Sequence, residues 1–587
     1  MTITVDTIET PGLGDRSYLV HDGEVAAVID PQRDIDRMLD AARSARVQIT
    51  HVLETHVHND YVTGGLALAR RVGADYCVAE GERVSFDRLA VADGIQLDVG
   101  TMTIEVVATP GHTHHHLAFV VRDAMTDHKR PFAVFTGGSL LYDTVGRTDL
   151  LGEADTDELT RAQWRSVRSL VDRLAGDVRV FPTHGFGSFC SSSPAADRTE
   201  STIADERAGN LAVTIDDEET FVRQLLDGLT DYPAYYAHMD PLNRAGPFEP
   251  DLSPLPAIAA HELRRRLEHH EWVVDVRNRR ACAAAHLAGS IGVELSDSFT
   301  TYLGWLLPWG TRLTLLGRSG DDLATAQREL ARIGIDRPSG GGSGPLDDLS
   351  GGHPIIDYPV ADFAALADRL RTDGERTSDI QVIDVRRPDE FHERHLERAH
   401  LAPLHQLLDH LHHIPPGELW VHCSTGTRAS IAASLLQRAG HRVVLIDDDV
   451  EEAPTGLLAP IPCRRSASSG VDQAPNFSSR PAIASSNGIR SVVGRRPSAP
   501  VRHQRSPKCS CSSRSWPFQT SVGTGCHEWA ESCDGVEWSP LTAITDGPSS
   551  RRRGITASTA AIASCFADRS PSSPALSASL WCRNTKS

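Results

Sequence analysis

The segment Thr55-His56-Val57-His58-Asn59-Asp60 constrains this chain more than any other, because two imidazoles and a carboxylate so close together can converge on one metal only where a strand ends. His56 and His58 lie two apart, so an extended backbone points both to the same side. The preceding run, Ile49-Thr50-His51-Val52-Leu53-Glu54, predicts a buried strand leading into the cluster. A second source follows at Ala108-Thr109-Pro110-Gly111-His112-Thr113, where the apolar run from Thr103 to Val107 is broken by a Pro-Gly turn. Two strand ends would bring His56, His58 and His112 to one place, a donor set that suits zinc or iron. In a chain with 27 histidines, a pair such as His412-His413 reads as solvated surface.

At 587 residues the chain is too long for one core, and three or four units are expected. Strands over Thr2–Glu9, Ser17–His21 and Val25–Asp30 precede a helix over Ile35–Ala45, and strand and helix alternate up to Phe181, with further helices over Leu66–Val72 and Asp157–Leu174. After about Pro250 the pattern restarts twice. Trp272-Val273-Val274-Asp275-Val276-Arg277 and Val382-Ile383-Asp384-Val385-Arg386 are the same strand-plus-Asp-Val-Arg unit about 109 positions apart, the mark of a tandem repeat. Later apolar strands follow each, at Leu313–Leu316 and Leu419–His422. Between the repeats, Arg337-Pro338-Ser339-Gly340-Gly341-Gly342-Ser343-Gly344 reads as a flexible linker. Past Ala459 the periodicity ends, and residues 461–587, rich in Ser, Arg, Pro and Gly, read as a disordered extension or a frame-shifted tail.

The formal charge of -19 divides into +9 for residues 461–587 and -28 for the remainder. An acidic body disfavours nucleic acid as a partner. No stretch approaches the roughly 20 apolar residues of a membrane span. Met1-Thr2-Ile3-Thr4-Val5 carries no basic leader, which makes a cytoplasmic location the default expectation. Cys77, Cys190, Cys282 and Cys423 are spaced too widely for a disulfide framework and read as free thiols.

A second centre is predicted at Cys423-Ser424-Thr425-Gly426-Thr427-Arg428, directly after the strand Trp420-Val421-His422 and before a helix over Ala429–Ala439. The small residues Ser424, Thr425, Gly426 and Thr427 let the backbone curl so that its N–H groups and the helix start face the sulfur, an arrangement that stabilises a thiolate or persulfide. Four residues between Cys423 and Arg428 suit sulfur better than the larger phosphate. The matching turn of the first repeat, Leu316-Gly317-Arg318-Ser319-Gly320, has no cysteine, and Cys282 lies far from it, so that repeat is expected to be structural or a docking module. Cys190 follows closely on His184 and is a candidate sulfur carrier beside the metal.

The His-x-His-x-Asp run resembles the signature of the metallo-β-lactamase superfamily, as do Thr136-Gly137-Gly138, Gly146-Arg147-Thr148-Asp149-Leu150 and Pro182-Thr183-His184-Gly185. The resemblance is to the persulfide dioxygenase and glyoxalase II branch, in particular its bacterial members fused to rhodanese modules. The segments Leu226–Leu229, Tyr235–Met239 and Leu242–Pro247 are similar to that branch too. It implies an α/β protein: an αββα sandwich over 1–250, then two rhodanese-like α/β domains over 255–345 and 355–460, the second with the active loop, and the tail. The implied activity is oxidation of glutathione persulfide, or a related low-molecular-weight persulfide, to sulfite, coupled to sulfur transfer. The alternatives are glyoxalase II-type thioester hydrolysis and a metal-poor scaffold with sulfurtransferase activity only. In that branch an Asp ligand stands where this chain has Gly138, and Tyr61 replaces a second-site histidine. The resemblance thus implies one metal ion, iron ahead of zinc, held by His56, His58 and His112, with Asp60 and His184 behind them. Asp143, roughly 16 Å further along an extended chain, could substitute only if the chain turns back. On this reading Gly138→Asp should raise metal content, provided the side chain fits. Self-association is left open.

Overall fold

Two six-stranded sheets face each other in the N-terminal half. The first follows chain order: Thr4–Thr10, Asp15–His21, Val25–Ile29, Gln48–Leu53, Asp75–Ala79 and Leu89–Val91. The second runs in reverse order from Ser201–Thr202 through Arg179–Pro182, Pro131–Gly137, Leu117–Asp123 and Met102–Ala108 to Gln96–Val99. Alternating side chains of both sheets, among them Ile29, Leu53, Val106, Phe119 and Phe135, close the space between them. Each such burial stabilises by ~1.5–3 kcal/mol, which fixes the registers, because a one-residue slip would turn the apolar set outward.

Helices cover the outer faces. Asp36–Ala45 and Gly65–Val72 pack on the first sheet through Met38, Leu66 and Leu68. Glu153–Arg173 packs on the second through Val167, Leu170 and Val171. This last helix starts earlier than its apolar spacing predicts; Glu153 and Asp155 in its first turn suit the positive helix end. The layers are the αββα sandwich that was expected.

Two smaller parallel sheets follow. In one, Ile291–Gly292, Trp272–Asp275, Leu313–Gly317 and Gly340–Ser343 lie in that order; in the other, Val360–Ala361, Arg442–Ile446, Glu418–His422, Ile380–Asp384 and Ala399–Leu401 do. The repeat seen in the sequence recurs in detail. Arg277 pairs with Asp275 at 2.6 Å and donates to the Ala285 carbonyl, while Arg386 pairs with Asp384 at 2.7 Å and donates to the Arg394 carbonyl.

The glycine-rich stretch 337–344 is no linker. Gly340–Ser343 is the edge strand of the first of these sheets, paired in parallel with Thr314–Gly317. Composition suggested flexibility, but the absence of side chains is what lets this strand lie under its neighbours. A Cβ on Gly341 would meet Leu323 at 2.8 Å, and one on Gly342 would meet Leu316 at 3.1 Å and Leu349 at 3.2 Å. Gly341→Leu and Gly342→Leu should each destabilise this sheet by about 1–3 kcal/mol through overpacking, read as a lower urea midpoint; in a true linker neither would matter.

The computed structural model describes residues 3–124, 130–193, 198–372 and 379–459, all within one compact unit, Met1–Asp472. The expected disordered or frame-shifted tail, 461–587, lies outside the described residues. Among the described residues no helix is long and apolar enough to cross a membrane.

Candidate functional site

Four strand ends converge at one end of the sandwich. Gln48–Leu53 leads into Glu54, Thr55, His56 and His58; Met102–Ala108 into His112 and His116; Pro131–Gly137 into Gly138; Arg179–Pro182 into Thr183 and His184. The four site histidines His56, His58, His112 and His184 are all buried.

Donor atoms of His56, His112 and His184 lie within 4.8 Å of one another. Their orientations follow from what holds the other ring nitrogen. His112 Nδ1 donates to the Arg147 carbonyl at 2.7 Å, leaving Nε2 with no protein partner. His184 Nδ1 donates to Asp15 at 2.9 Å and lies 3.1 Å from Asp60. Thr55 gives its hydroxyl proton to Asp30 at 2.7 Å, so its oxygen accepts from His56 Nδ1 at 2.9 Å. Three Nε2 atoms therefore face one point, with His56 Nε2 and His184 Nε2 3.3 Å apart. Fixing Nδ1–H on an oxygen acceptor is how proteins present a metal-binding imidazole nitrogen. Burial and the neighbouring histidines keep His56 well below the usual imidazole range and His112 at about 3, so both rings are neutral.

His58 is turned differently from the sequence expectation. Its Nε2 lies 3.0 Å from the Tyr61 hydroxyl and 3.3 Å from both Asp30 and Glu54. Against the downward pull of burial, those carboxylates raise it to about 9. Its Nδ1 has no partner and belongs to a second donor group with Asp60 and His184. His184, expected behind the ligands, thus belongs to both groups.

Asp30, absent from the sequence reading, organises this corner. It accepts from the Thr55 N–H at 2.7 Å and from the hydroxyls of Thr55 and Thr183. Its φ of +50° is a left-handed conformation uncommon for a non-glycine residue, the kind of local strain found at functional sites. Other missed residues are His116 and Gln163. His116 stacks on His56 at 4.8 Å, but its Nδ1 faces Thr109 Oγ1 and its Nε2 accepts from the Gly138 N–H, so it has no lone pair left for a metal. Gln163 accepts from the His112 N–H and donates to the Ser139 carbonyl, tying the two loops together.

Asp143 does not turn back. It pairs with Arg198 at 3.0 Å on a half-exposed surface, and its backbone N–H donates to Glu206. Nor does Gly138 have room for the missing ligand: an ideal Cβ there would sit 2.3 Å from His112 Cδ2, closer than such contacts essentially ever come. The imidazole occupies the space a carboxylate would need. Gly138→Asp should therefore lower metal content, opposite to the sequence expectation, and destabilise the sandwich by about 1–3 kcal/mol; metal analysis and thermal melting of the variant check both.

Cys190 lies beside this centre. Burial, Asp60 and Asp15 push its thiol well above the ordinary range, and its backbone N–H donates to Ser188 Oγ, which in turn donates to Asp60. Such an environment suits a hydrogen-bond donor rather than the sulfur-carrying thiolate we expected. Arg147, buried between Asp149 and the Phe189 and Thr230 carbonyls, donates its backbone N–H to the Cys190 carbonyl and so links the Gly146–Leu150 motif to both Cys190 and His112.

At the second centre, Cys423 Sγ accepts from the Gly426 N–H at 3.2 Å and the Ala429 N–H at 3.4 Å, at the start of the helix Thr427–Arg438. Gly426 has φ +89°, and a Cβ there would meet Asp447 Oδ1 at 2.1 Å. Arg428 is held by Glu390 through bonds of 2.6 and 2.7 Å and reaches Ser424 Oγ at 2.9 Å. Against the upward pull of burial, that guanidinium holds Glu390 down at about 2. Since the shift is downward, the pair's contribution is complete above the ordinary value of 4.5 and disappears as pH falls through about 2. Glu390→Gln should cut sulfur transfer by about tenfold, by leaving Arg428 with a weaker partner, and should remove this acid limb from the pH profile of the loop.

Comparison with known proteins follows this division. Residues 364–452 match the model of the rhodanese-like domain. The chain is 28% identical over 207 residues to the mitochondrial persulfide dioxygenase ETHE1 of Homo sapiens, covering 35% of this chain and 73% of that protein. It is 28% identical over 236 residues to the hydroxyacylglutathione hydrolase of Cereibacter sphaeroides, covering 39% and 86%. The crystal structure of a metallo-β-lactamase from Staphylococcus aureus subsp. aureus COL superposes with a TM-score of 0.53 at 25% identity, covering 59% of this chain and 100% of that one. The rhodanese match covers only the second repeat, the one with Cys423. The chain is a metallo-β-lactamase-fold protein related to persulfide dioxygenases and hydroxyacylglutathione hydrolases, with a rhodanese domain fused behind the sandwich.

Proposed function

We propose that this chain is a persulfide dioxygenase coupled to a sulfurtransferase: one iron ion held by His56, His112 and His184, and a sulfane sulfur carried by Cys423. The observation that carries the first half is the convergence of three buried Nε2 atoms whose Nδ1 positions are each committed to an oxygen. Iron bound there would supply the redox chemistry with O₂. In the overall reaction, glutathione persulfide, O₂ and water would give glutathione, sulfite and two protons. The protein's part is to exclude bulk water through burial, to fix the imidazoles through Asp30, Asp15 and the Arg147 carbonyl, and to hold Asp60 beside His184 with its Oδ1 free to accept a hydrogen bond. The first repeat is read as a second rhodanese-like module, one without a cysteine in its loop.

The test is O₂ uptake by the iron-loaded chain with glutathione persulfide, with sulfite formed in equal amount. Hydrolysis of an acyl-glutathione without O₂ uptake would overturn it in favour of a hydrolase. That second reading has one observation behind it, the donor group of His58, Asp60 and His184, which could hold a second metal. Against it, Gly138 offers no bridging ligand.

A further inference from the structure

The first repeat, which has no cysteine in its own loop, grips the rhodanese domain directly behind the Cys423 loop. His286 Nε2 donates to Gln437 Oε1 at 2.7 Å and the Gly292 N–H to Ser434 Oγ at 3.1 Å, both on the helix Thr427–Arg438 that leaves the loop. A second grip is ionic. Arg279 Nε donates to Asp447 Oδ1 at 2.7 Å, Arg280 Nε donates to Oδ2, and Arg280 Nη2 reaches the Asp447 carbonyl at 3.3 Å. Arg279 is itself steadied by Glu294 at 2.9 Å. The Asp447 side chain is 1% exposed, and a carboxylate so buried is costly unless cations meet it; both ion pairs described for it come from the first repeat.

Asp447 in turn stands against the loop. A Cβ on Gly426 would lie 2.1 Å from Asp447 Oδ1, the oxygen that Arg279 holds, and 3.0 Å from Asp447 Cα. Three residues on, the Val450 N–H donates to the Ser424 carbonyl at 2.8 Å. The stretch from Asp447 to Val450 is therefore the outer wall of the loop, and Gly426 is caught between that wall and the Sγ to which its N–H donates.

We propose that Arg279 and Arg280 are positioning residues for sulfur transfer: by fixing Asp447 they keep the Gly426 N–H on Cys423 Sγ, so the first repeat tunes a centre it does not contain. This rests on the reading of Cys423 as the sulfur carrier. The Cys423 thiolate attacks the outer sulfur of thiosulfate, and sulfite leaves with the electron pair of the broken S–S bond. Cyanide then attacks the outer sulfur of the persulfide, a C–S bond forms, and the electron pair of the second broken S–S bond returns to Sγ. No oxidant or reductant enters. Negative charge builds on Sγ in that second step, where a displaced N–H donor is felt most.

The experiment loads the full chain with thiosulfate, removes the excess, and follows thiocyanate formation in a single turnover with cyanide, with Cys423→Ser as the blank. Arg279→Ala combined with Arg280→Ala should slow discharge by about tenfold, and Asp447→Asn should do the same. Adding Asp447→Asn to the arginine pair should cost no more than about a further twofold, because all three act through one contact. Arg279→Lys with Arg280→Lys, which keeps both charges, should return the rate to within about threefold of wild type. A merely structural link would lower the urea midpoint and leave the discharge rate of the folded protein as it is. Arg280→Ala alone, at a side chain 67% exposed, should slow discharge by about fivefold and keeps the test in hand if the double variant does not fold. A rate within about twofold of wild type in Arg280→Ala and Asp447→Asn, both folded by circular dichroism, would overturn the proposal, as would arginine and aspartate effects that multiply. If Cys423→Ser is inactive and these rates do not move, only the positioning role fails; if Cys423→Ser still transfers sulfur, both readings fail.

Discussion

Replacing Cys423 with serine is expected to reduce sulfur transfer from thiosulfate by more than about 10³-fold while leaving the far-ultraviolet spectrum unchanged. A serine oxygen can accept the same Gly426 and Ala429 N–H groups, so the loop keeps its shape and loses only the nucleophile. The other body cysteines are poor substitutes. Burial, reinforced by Asp275, pushes the Cys282 thiol far up, and burial with Asp60 and Asp15 pushes the Cys190 thiol well up too. Activity retained in Cys423→Ser would move the role to one of these two and contradict the loop assignment.

Replacing His184 with alanine is the second large effect expected. His184 is shared by two of the donor groups, its Nε2 facing His56 at 3.3 Å and its Nδ1 3.1 Å from Asp60, so its loss removes an imidazole from each. Metal affinity should fall by at least about 100-fold, measured by competition with a chelating dye. Asp143→Ala, whose side chain pairs with Arg198, should leave affinity unchanged. If the loss followed Asp143 instead, the site would have been drawn in the wrong place.

What the sequence made legible was local. The spacing of His56, His58 and Asp60, the Pro-Gly turn before His112 and the Cys423 loop are each contained in a few residues, and the structure brings the first group together at strand ends. The αββα layering was readable from strand and helix periodicity up to Phe181. Ring orientation was not, because it is set by partners distant in the chain: His58 is turned by Asp30 and Glu54, and His184 meets His56 across 128 residues. Glu390, which holds Arg428, lies 38 residues before it and carries no local signature. Stretch 337–344 was misread because composition reports what a chain could do alone, whereas Gly341 and Gly342 are chosen by the leucines packed over them. The condition attached to Gly138→Asp, that the side chain fit, is unmet for the same reason: sequence shows a vacant ligand position but not the His112 ring that fills it.

The central claim is one metal held by three imidazoles, and the most direct test is the metal-to-chain ratio of the full-length protein purified after expression with iron and zinc both in supply. The account predicts one tightly held metal per chain, predominantly iron, and none in His56→Ala, His112→Ala or His184→Ala. Two tightly held metals in the unmodified chain would bring His58 and Asp60 in as ligands and contradict the one-metal site; none at all would leave Cys423 as the only working centre.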